Sequence, residues 1–437
     1  MNLLIRNARV LDPAANLDGE RDVLVEQDRV KAVERRGTFD SGSFQAGIRE
    51  TFDAQGLLLV PGLIDVHVHL REPGFEHKET IASGTRAAIA GGFTSVAAMA
   101  NTSPVNDHAF VTRSILERAC QAGMARVFPI GAVTKGQKGQ ELAEIGLMAR
   151  AGIRALSDDG MPVMNSALMR RAMEYARMFD LPVISHAEDL NLSSGAPMNE
   201  GEVSALLGVP GNPNASEEIM VAREVALCRA TGARVHIAHL STREGLEVVK
   251  RAKEAGLPVT AEVTPHHLML TELDVLLGNH ACAHHQTAAD YKMAPPLRGQ
   301  KDRDALLEGL ASGLIDMIAS DHAPHGCVDK DTEFELAANG ILGLQTTLPL
   351  MLGLVREGKL TLRRAIEAMT IAPARLLGLR ELGTLSPGAL ADLTLIDLNR
   401  QWTLGPGDVE SLSRNSPFLG RSFQGKAVRC MVGGVWK

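Results

Sequence analysis

No CxxC pair occurs in this chain, and its five cysteines, Cys120, Cys228, Cys282, Cys327 and Cys430, are scattered. An odd, dispersed set argues against the disulfide framework of a secreted domain and implies a reducing compartment. No Lys/Arg tract interrupts the acidic balance, a net charge of -7, so the basic field that nucleic acid requires is missing and a small molecule is the expected partner. No apolar run approaches the roughly 18 residues needed to span a bilayer. The opening MNLLIRNARVLDP also lacks a basic region followed by a sustained apolar stretch and a cleavage site. A cytoplasmic location without a membrane partner is therefore expected. Coiled coil, tandem repeats and low-complexity tracts are absent too.

What is present is an ordinary globular composition, with 45% hydrophobic and 22% charged residues over 437 positions, enough to bury one large core with a modest appendage. Short aliphatic runs divided by Asp, Gly and Asn turns fill residues 2 to 57: LLIRNARVLD, DVLVEQDRVKAVE and FDAQGLLLV. The same texture returns near residue 380 in GALADLTLIDL, SFQGKAVRCMV and GGVWK, which predicts one β-sandwich built from both ends, 1–57 plus 378–437. Between them, over 58–377, strand-like runs such as GFTSVAAM, RVFPIGAV, GIRALSD, LPVISHAE, RVHIAHLS and LPVTAEVT alternate with amphipathic segments. Repeated βα units imply an α/β fold with a parallel sheet, and periodicity alone leaves a closed barrel and an open doubly wound sheet both standing.

The chemistry-bearing residues choose between them. In DVHVHLREPG, His67 and His69 stand two apart after an apolar run, so an extended strand presents both imidazoles to one ion. Four further runs end in candidate ligands: RALSDD in Asp158 and Asp159, VISHAED in His186, RVHIAHLS in His239, and LIDMIASDHAPH in Asp321, His322 and His325. Ligands gathered at the C-terminal ends of several strands describe the top of a (β/α)8 TIM-type barrel, whereas an open sheet would splay them. Four imidazoles and two carboxylates suit zinc or a similar divalent ion and suffice for two ions sharing a bridging carboxylate. Asp158 and Asp159 point to opposite sides of an extended backbone, so one bridges and the other caps the following turn. His236, His266 and His267 are read as packed histidines and left out of the ligand set. Arg71, on the same alternation as His69, offers a bidentate guanidinium to a carboxylate, its competing reading being an ion pair with Glu72 or Glu76, and Asn101 adds an amide donor.

DVHVHLREPG, MANTSPVND, GAVTKGQKG, SDDGMP, VTPHHLML, YKMAPPLR, ASDHAPH and SPFLGRSFQG together resemble, in order and over nearly the whole chain, the motifs of class I dihydroorotases. The resemblance implies the amidohydrolase fold, a barrel with a β-sandwich from both termini, and reversible cyclisation of N-carbamoyl-L-aspartate to L-dihydroorotate in pyrimidine (UMP) synthesis. It implies that His67 and His69 hold one zinc, His186 and His239 another when two are bound, with Asp159 bridging and Asp321 beside the first as the catalytic acid/base. His325 completes a carboxylate clamp with Arg71, and the backbone of Asn339 and Gly340 meets the substrate ring. Many relatives bridge their metals with a carboxylated lysine, but no lysine lies between Lys138 and Lys250 here. One departure is Ala294, where the family usually has a substrate-binding Asn.

Two ions this close would lower the pKa of a shared water from ~15.7 towards ~7. The stretch His280 to Asp290, with His284 and His285, reads as a solvated loop. SSGAPMNEG, 193–201, reads as a flexible loop and a lid between two site strands. A homo-oligomer is expected. An allantoinase or hydantoinase is the nearest competing enzyme, and a dihydroorotase-like scaffold for aspartate transcarbamoylase the competing non-enzyme. Association with that enzyme alongside catalysis stays open.

Overall fold

The computed structural model describes residues 2–40, 48–278 and 288–437. His280, His284, His285 and Cys282 lie outside them.

Eight short parallel strand positions close into a ring. Leu63–Val68 pairs with Phe93–Ala98, which pairs with Arg126–Pro129. Single bridges carry the ring on from Gly131 to Leu156 and from Leu156 to Val183. Val183–Ser185, Val235–Ile237, Val259–Val263 and Met317–Ile318 then pair in that order, and a bridge between Val68 and His322 closes the circle. The barrel is thus closed. Its fourth position differs from expectation: GIRALSDD forms no ladder, only the two bridges at Leu156, so Asp158 and Asp159 leave the wall almost at once.

Strand side chains divide between two buried sets. Val96, Val127, Leu156, Val183, Val235, Ile237 and Val263 face the helices, while Ile64, Val66, Ala97, Met99, Ile130, Ala155, Ile184, Ala238, Met317 and Ala319 fill the interior. Leu376, Leu377, Leu379 and Leu382 pack onto this inner set, leaving the C-terminal rim of the barrel to carry the polar residues. The amphipathic segments form the expected outer helices, among them Ile81–Gly91, capped by Thr80, and Asn214–Thr231.

The chain ends meet in an eight-stranded sheet. Asn2–Asp12 pairs with Leu17–Glu26, Glu50–Asp53 and Leu58–Pro61, and Leu58–Pro61 pairs in turn with Leu393–Thr403, which pairs with Ser422–Val432. Leu3, Ile5, Val10, Val23, Leu59, Leu393, Leu395 and Met431 form its own core, so strands more than 300 residues apart are held by one apolar contact set. We propose the same two units as the sequence suggests, with the junction at Gly62, because Leu58–Pro61 is hydrogen-bonded into the terminal sheet. Among the described residues no helix is long and apolar enough to cross a membrane, and Cys120, Cys228, Cys327 and Cys430 are all free thiols.

Candidate active site

The strand ends bring His67, His69, Asp159, His186, His239 and Asp321 together, all buried. His69 Nε2 lies 3.0 Å from Asp321 Oδ1, and His67 Nε2 lies 3.5 Å from the same oxygen. Asp159 faces both halves of the cluster: Oδ1 is 3.3 Å from His239 Nε2, 3.6 Å from His186 Nδ1 and 3.4 Å from His67 Nε2, while Oδ2 is 3.5 Å from His69 Nε2. Two groups with the spacing of metal ligands result, His67–His69–Asp321 and His67–Asp159–His239. His67 Nε2 is buried without a hydrogen-bond partner, an unsatisfied nitrogen facing the cluster that, in the neutral ring, a cation would satisfy. Burial opposes charge on these groups, yet mutual attraction outweighs it. Asp159 and Asp321 are held well below the usual carboxylate range and His67 well above the usual imidazole range.

Two of these positions, His239 at φ 33° and Asp321 at φ 45°, and the neighbouring Arg71 at φ 62° sit in the left-handed backbone region that non-glycine residues avoid. Such conformations cost roughly 1–3 kcal/mol each and are sustained here by specific bonds. Regular alternation after Ile237, which faces the helices, would send His239 outward. Its left-handed turn, with its N–H donating to Glu262 Oε1 at 3.1 Å, directs the ring to Asp159 instead. Below Asp321, the fully buried Asp65 accepts from the N–H of Ser320 and of His67, both at 3.1 Å.

Asp158 turns away from the cluster. Its carboxylate accepts from the N–H of Val133 at 2.7 Å and from the N–H and hydroxyl of Thr134. It therefore anchors the loop after the third strand and does not cap the turn that follows it. Burial pushes its carboxyl up to about 6.

Arg71, Asn101, His325, Asn339 and Gly340 line, with His69, Asp159, His186 and Asp321, one cavity of about 410 Å³. Arg71 ignores Glu72, which pairs with Arg118; its Nε donates to the Pro324 carbonyl at 3.1 Å. Asn101 Oδ1 lies 3.0 Å from His69 Nδ1, which fixes that ring with Nε2 towards Asp321 and leaves the amide nitrogen for a ligand. Ala294 is on the same wall, as are Ser193, Gly195, Ala196 and Pro197. The 193–201 segment is more ordered in form than a plain loop, since a short helix, Leu190–Ser193, enters it and Met198–Asn199 pairs with Gly211–Asn212.

Three residues escaped the sequence reading. Glu262, fully buried, holds His67 Nδ1 at 2.6 Å and His236 Nε2 at 3.0 Å as well as the His239 N–H. His236 is accordingly a packed histidine, its other nitrogen 2.8 Å from Thr260 Oγ1. Glu188 does the same for His186 Nε2 at 2.9 Å, and this carboxylate–imidazole pairing is what orients metal-binding histidines in general. The signal was weak, a single acid inside the apolar run VTAEV. Asn415 donates to the carbonyls of Ala323 and Gly340, each at 2.9 Å, and accepts from the His325 N–H at 3.0 Å. It stands directly before SPFLG, the one available hint.

Lys330 lies beneath this wall, donating to the Ala289 carbonyl at 2.8 Å. Burial depresses its pKa from an ordinary 10.5 to about 7. The unfolded chain therefore binds more protons than the native one between those values, and the penalty, complete below about 7, fades as pH rises to 10.5. Relative to Lys330→Met, the native chain should gain about 1.4 kcal/mol per pH unit across that window, measurable by chemical denaturation at pH 7, 8 and 9. Parallel curves for the two proteins would contradict it.

Residues 56–245 match the dihydro-orotase-like family model and residues 301–404 the amidohydrolase family model. The dihydroorotase of Anaeromyxobacter dehalogenans strain 2CP-C is 50% identical over 432 residues, 99% of this chain and 96% of its own. This chain belongs to the dihydroorotase family. Another member, the dihydroorotase of Syntrophotalea carbinolica, is 51% identical over 434 residues, 99% of this chain and 98% of its own. Among solved structures, the L-hydantoinase of Arthrobacter aurescens superimposes with a TM-score of 0.85 at 26% identity, covering 99% of this chain and 95% of that one. The dihydropyrimidinase of Brevibacillus agri, at 21% identity and a TM-score of 0.81, shares the fold. Dihydroorotases thus belong with the barrel amidohydrolases, a metal-dependent group whose chemistry matches the cluster found here.

Proposed function

We propose that this chain is a dihydroorotase, interconverting N-carbamoyl-L-aspartate and L-dihydroorotate in pyrimidine synthesis. One observation carries the reading beyond family membership: a guanidinium and an imidazole, Arg71 and His325, stand on the wall of the same cavity as the histidine–carboxylate cluster. A cyclic amide bearing a carboxylate needs both features at once.

His67 and His69 with Asp321 would hold one ion and His186 with His239 the other, Asp159 bridging them. Imidazole and carboxylate donors favour zinc. Bound there, the ions supply Lewis acidity that polarises the ring amide carbonyl and acidifies the attacking water. The chain's own residues do the rest. Asp321, ionised and 3.0 Å from His69 Nε2, takes the proton of the water and delivers it to the departing amide nitrogen, and in reverse it takes the proton of the ureido nitrogen as the ring closes. Arg71, His325 and Asn101 orient the substrate carboxylate, and the backbone of Asn339 and Gly340 meets the ring. The segment 193–201 closes over the site as a lid. The enzyme works in the cytoplasm as a homo-oligomer.

The second reading, a hydantoinase, is favoured by the likeness to the Arthrobacter enzyme. Steady-state hydrolysis of L-dihydroorotate, allantoin and 5-substituted hydantoins, run side by side, separates them. Turnover of L-dihydroorotate at least 100-fold more efficient than of the uncharged rings is expected, about 3 kcal/mol of discrimination from the carboxylate contacts. Efficient hydantoin cleavage with none of L-dihydroorotate would overturn the assignment.

A further inference from the structure

His325 lies between two permanent donors. Arg71 Nη2 is 3.2 Å from its Nε2, and Lys78 Nζ is 3.3 Å from its Nδ1. A neutral imidazole has one lone pair and one N–H, and neither guanidinium nor ammonium can accept. Only one of the two contacts is therefore a hydrogen bond, and the other sets donor against donor.

The surroundings indicate which. Lys78 is mostly buried and fixed by Asp329 Oδ2 at 3.2 Å. Its backbone carbonyl accepts from Ser413 Oγ at 2.7 Å, and its ammonium lies 5.9 Å from the centre of the Phe75 ring. Asp329 is 3.8 Å from Nδ1, too far to accept a hydrogen bond from it. The His325 backbone is pinned by Asn415, so the ring cannot retreat. Burial, with Arg71, Lys78 and Lys330 nearby, keeps this imidazole neutral against a hydrogen bond to the Asn339 backbone that favours the charged form. Arg71 and His325 line the cavity, whereas Lys78 stands behind them.

We propose that Lys78 is a positioning residue for substrate recognition: by donating to Nδ1 it places the His325 proton on Nε2, so that an N–H and the Arg71 guanidinium face the substrate together. Two donors 3.2 Å apart repel. A carboxylate oxygen that accepts from both removes that repulsion, and an uncharged cyclic amide does so poorly. The device thus favours carboxylate-bearing rings, and it rests on the dihydroorotase reading.

The test has two arms. In protein labelled with 15N-histidine, with the His325 signals assigned from His325→Asn, the Nε2–H tautomer is expected in the native chain and a mixture in Lys78→Met; an Nδ1–H tautomer in the native chain overturns the proposal. Kinetically, Lys78→Met should raise KM for L-dihydroorotate roughly tenfold, the loss of one charge-assisted hydrogen bond, with kcat within about twofold and metal content unchanged, and Lys78→Arg should recover much of the KM. An unchanged KM in Lys78→Met, or a fall in kcat alone, overturns it. Native protein that turns over hydantoins but not L-dihydroorotate would instead sink the parent reading, a result the native chain alone reveals.

Discussion

Asp321→Asn is expected to lower kcat for L-dihydroorotate hydrolysis by about 10³-fold, the middle of the range for loss of a general acid–base group, with KM changed little. The substitution is close to isosteric, and Asn tolerates the left-handed backbone that Asp321 adopts at φ 45°, so the fold should survive. What is lost is basicity: a carboxamide cannot take the proton of the attacking water. The amide oxygen can still face His69 Nε2, now 3.0 Å from Asp321 Oδ1, so zinc should still be recovered with the variant. Steady-state kinetics combined with metal analysis checks this. A variant with near-native kcat would remove Asp321 from the chemistry, and one without metal would make its role that of a ligand first.

Glu262→Ala should damage the site from behind. Its two oxygens serve three donors on two strands, the His67 and His236 rings and the His239 backbone. In the proposed arrangement His67 would hold one ion and His239 the other, and one carboxylate sets the ring of the first and the backbone turn of the second. Burial would raise the Glu262 pKa, but His67 and His236 outweigh it and lower it to about 2, so it stays an anion at all working pH values. Removing such outer carboxylates typically weakens metal binding 10- to 100-fold. Deleting one side of a buried ion pair also costs about 3–5 kcal/mol of stability. Competition with a chromophoric zinc chelator and thermal unfolding of the variant measure both. Native zinc affinity in Glu262→Ala would show that His67 and His239 are held by other means.

Much of this architecture was legible in the residues. The HxH pair, the acids and histidines ending successive apolar runs, and the matching strand texture at both termini lead to the barrel, the sheet that unites the chain ends, and the cluster of six buried groups. The supporting layer was not legible, because an acid such as Glu262 or Glu188 announces no partner in sequence: what makes it functional is a histidine from another strand, 195 residues away for His67 and Glu262. Asp158 shows the same limit. The alternation of an extended chain separates it from Asp159, but only the third-strand loop folded against it reveals what it does. The expected boundary after residue 57 and the proposed junction at Gly62 differ because Leu58–Pro61 and Leu63–Val68 form one apolar run, which only pairing divides between sheet and barrel.

The cluster is proposed to bind metal and, with metal bound, to support hydrolysis of L-dihydroorotate. The measurement that addresses it most directly is the ultraviolet assay of L-dihydroorotate hydrolysis on one preparation, before chelation, after it and after zinc is restored. Activity should vanish with the chelator and return in step with zinc bound, saturating at one or two ions per chain. Full activity in protein shown to be free of metal would contradict the account, as would no activity in any metal state.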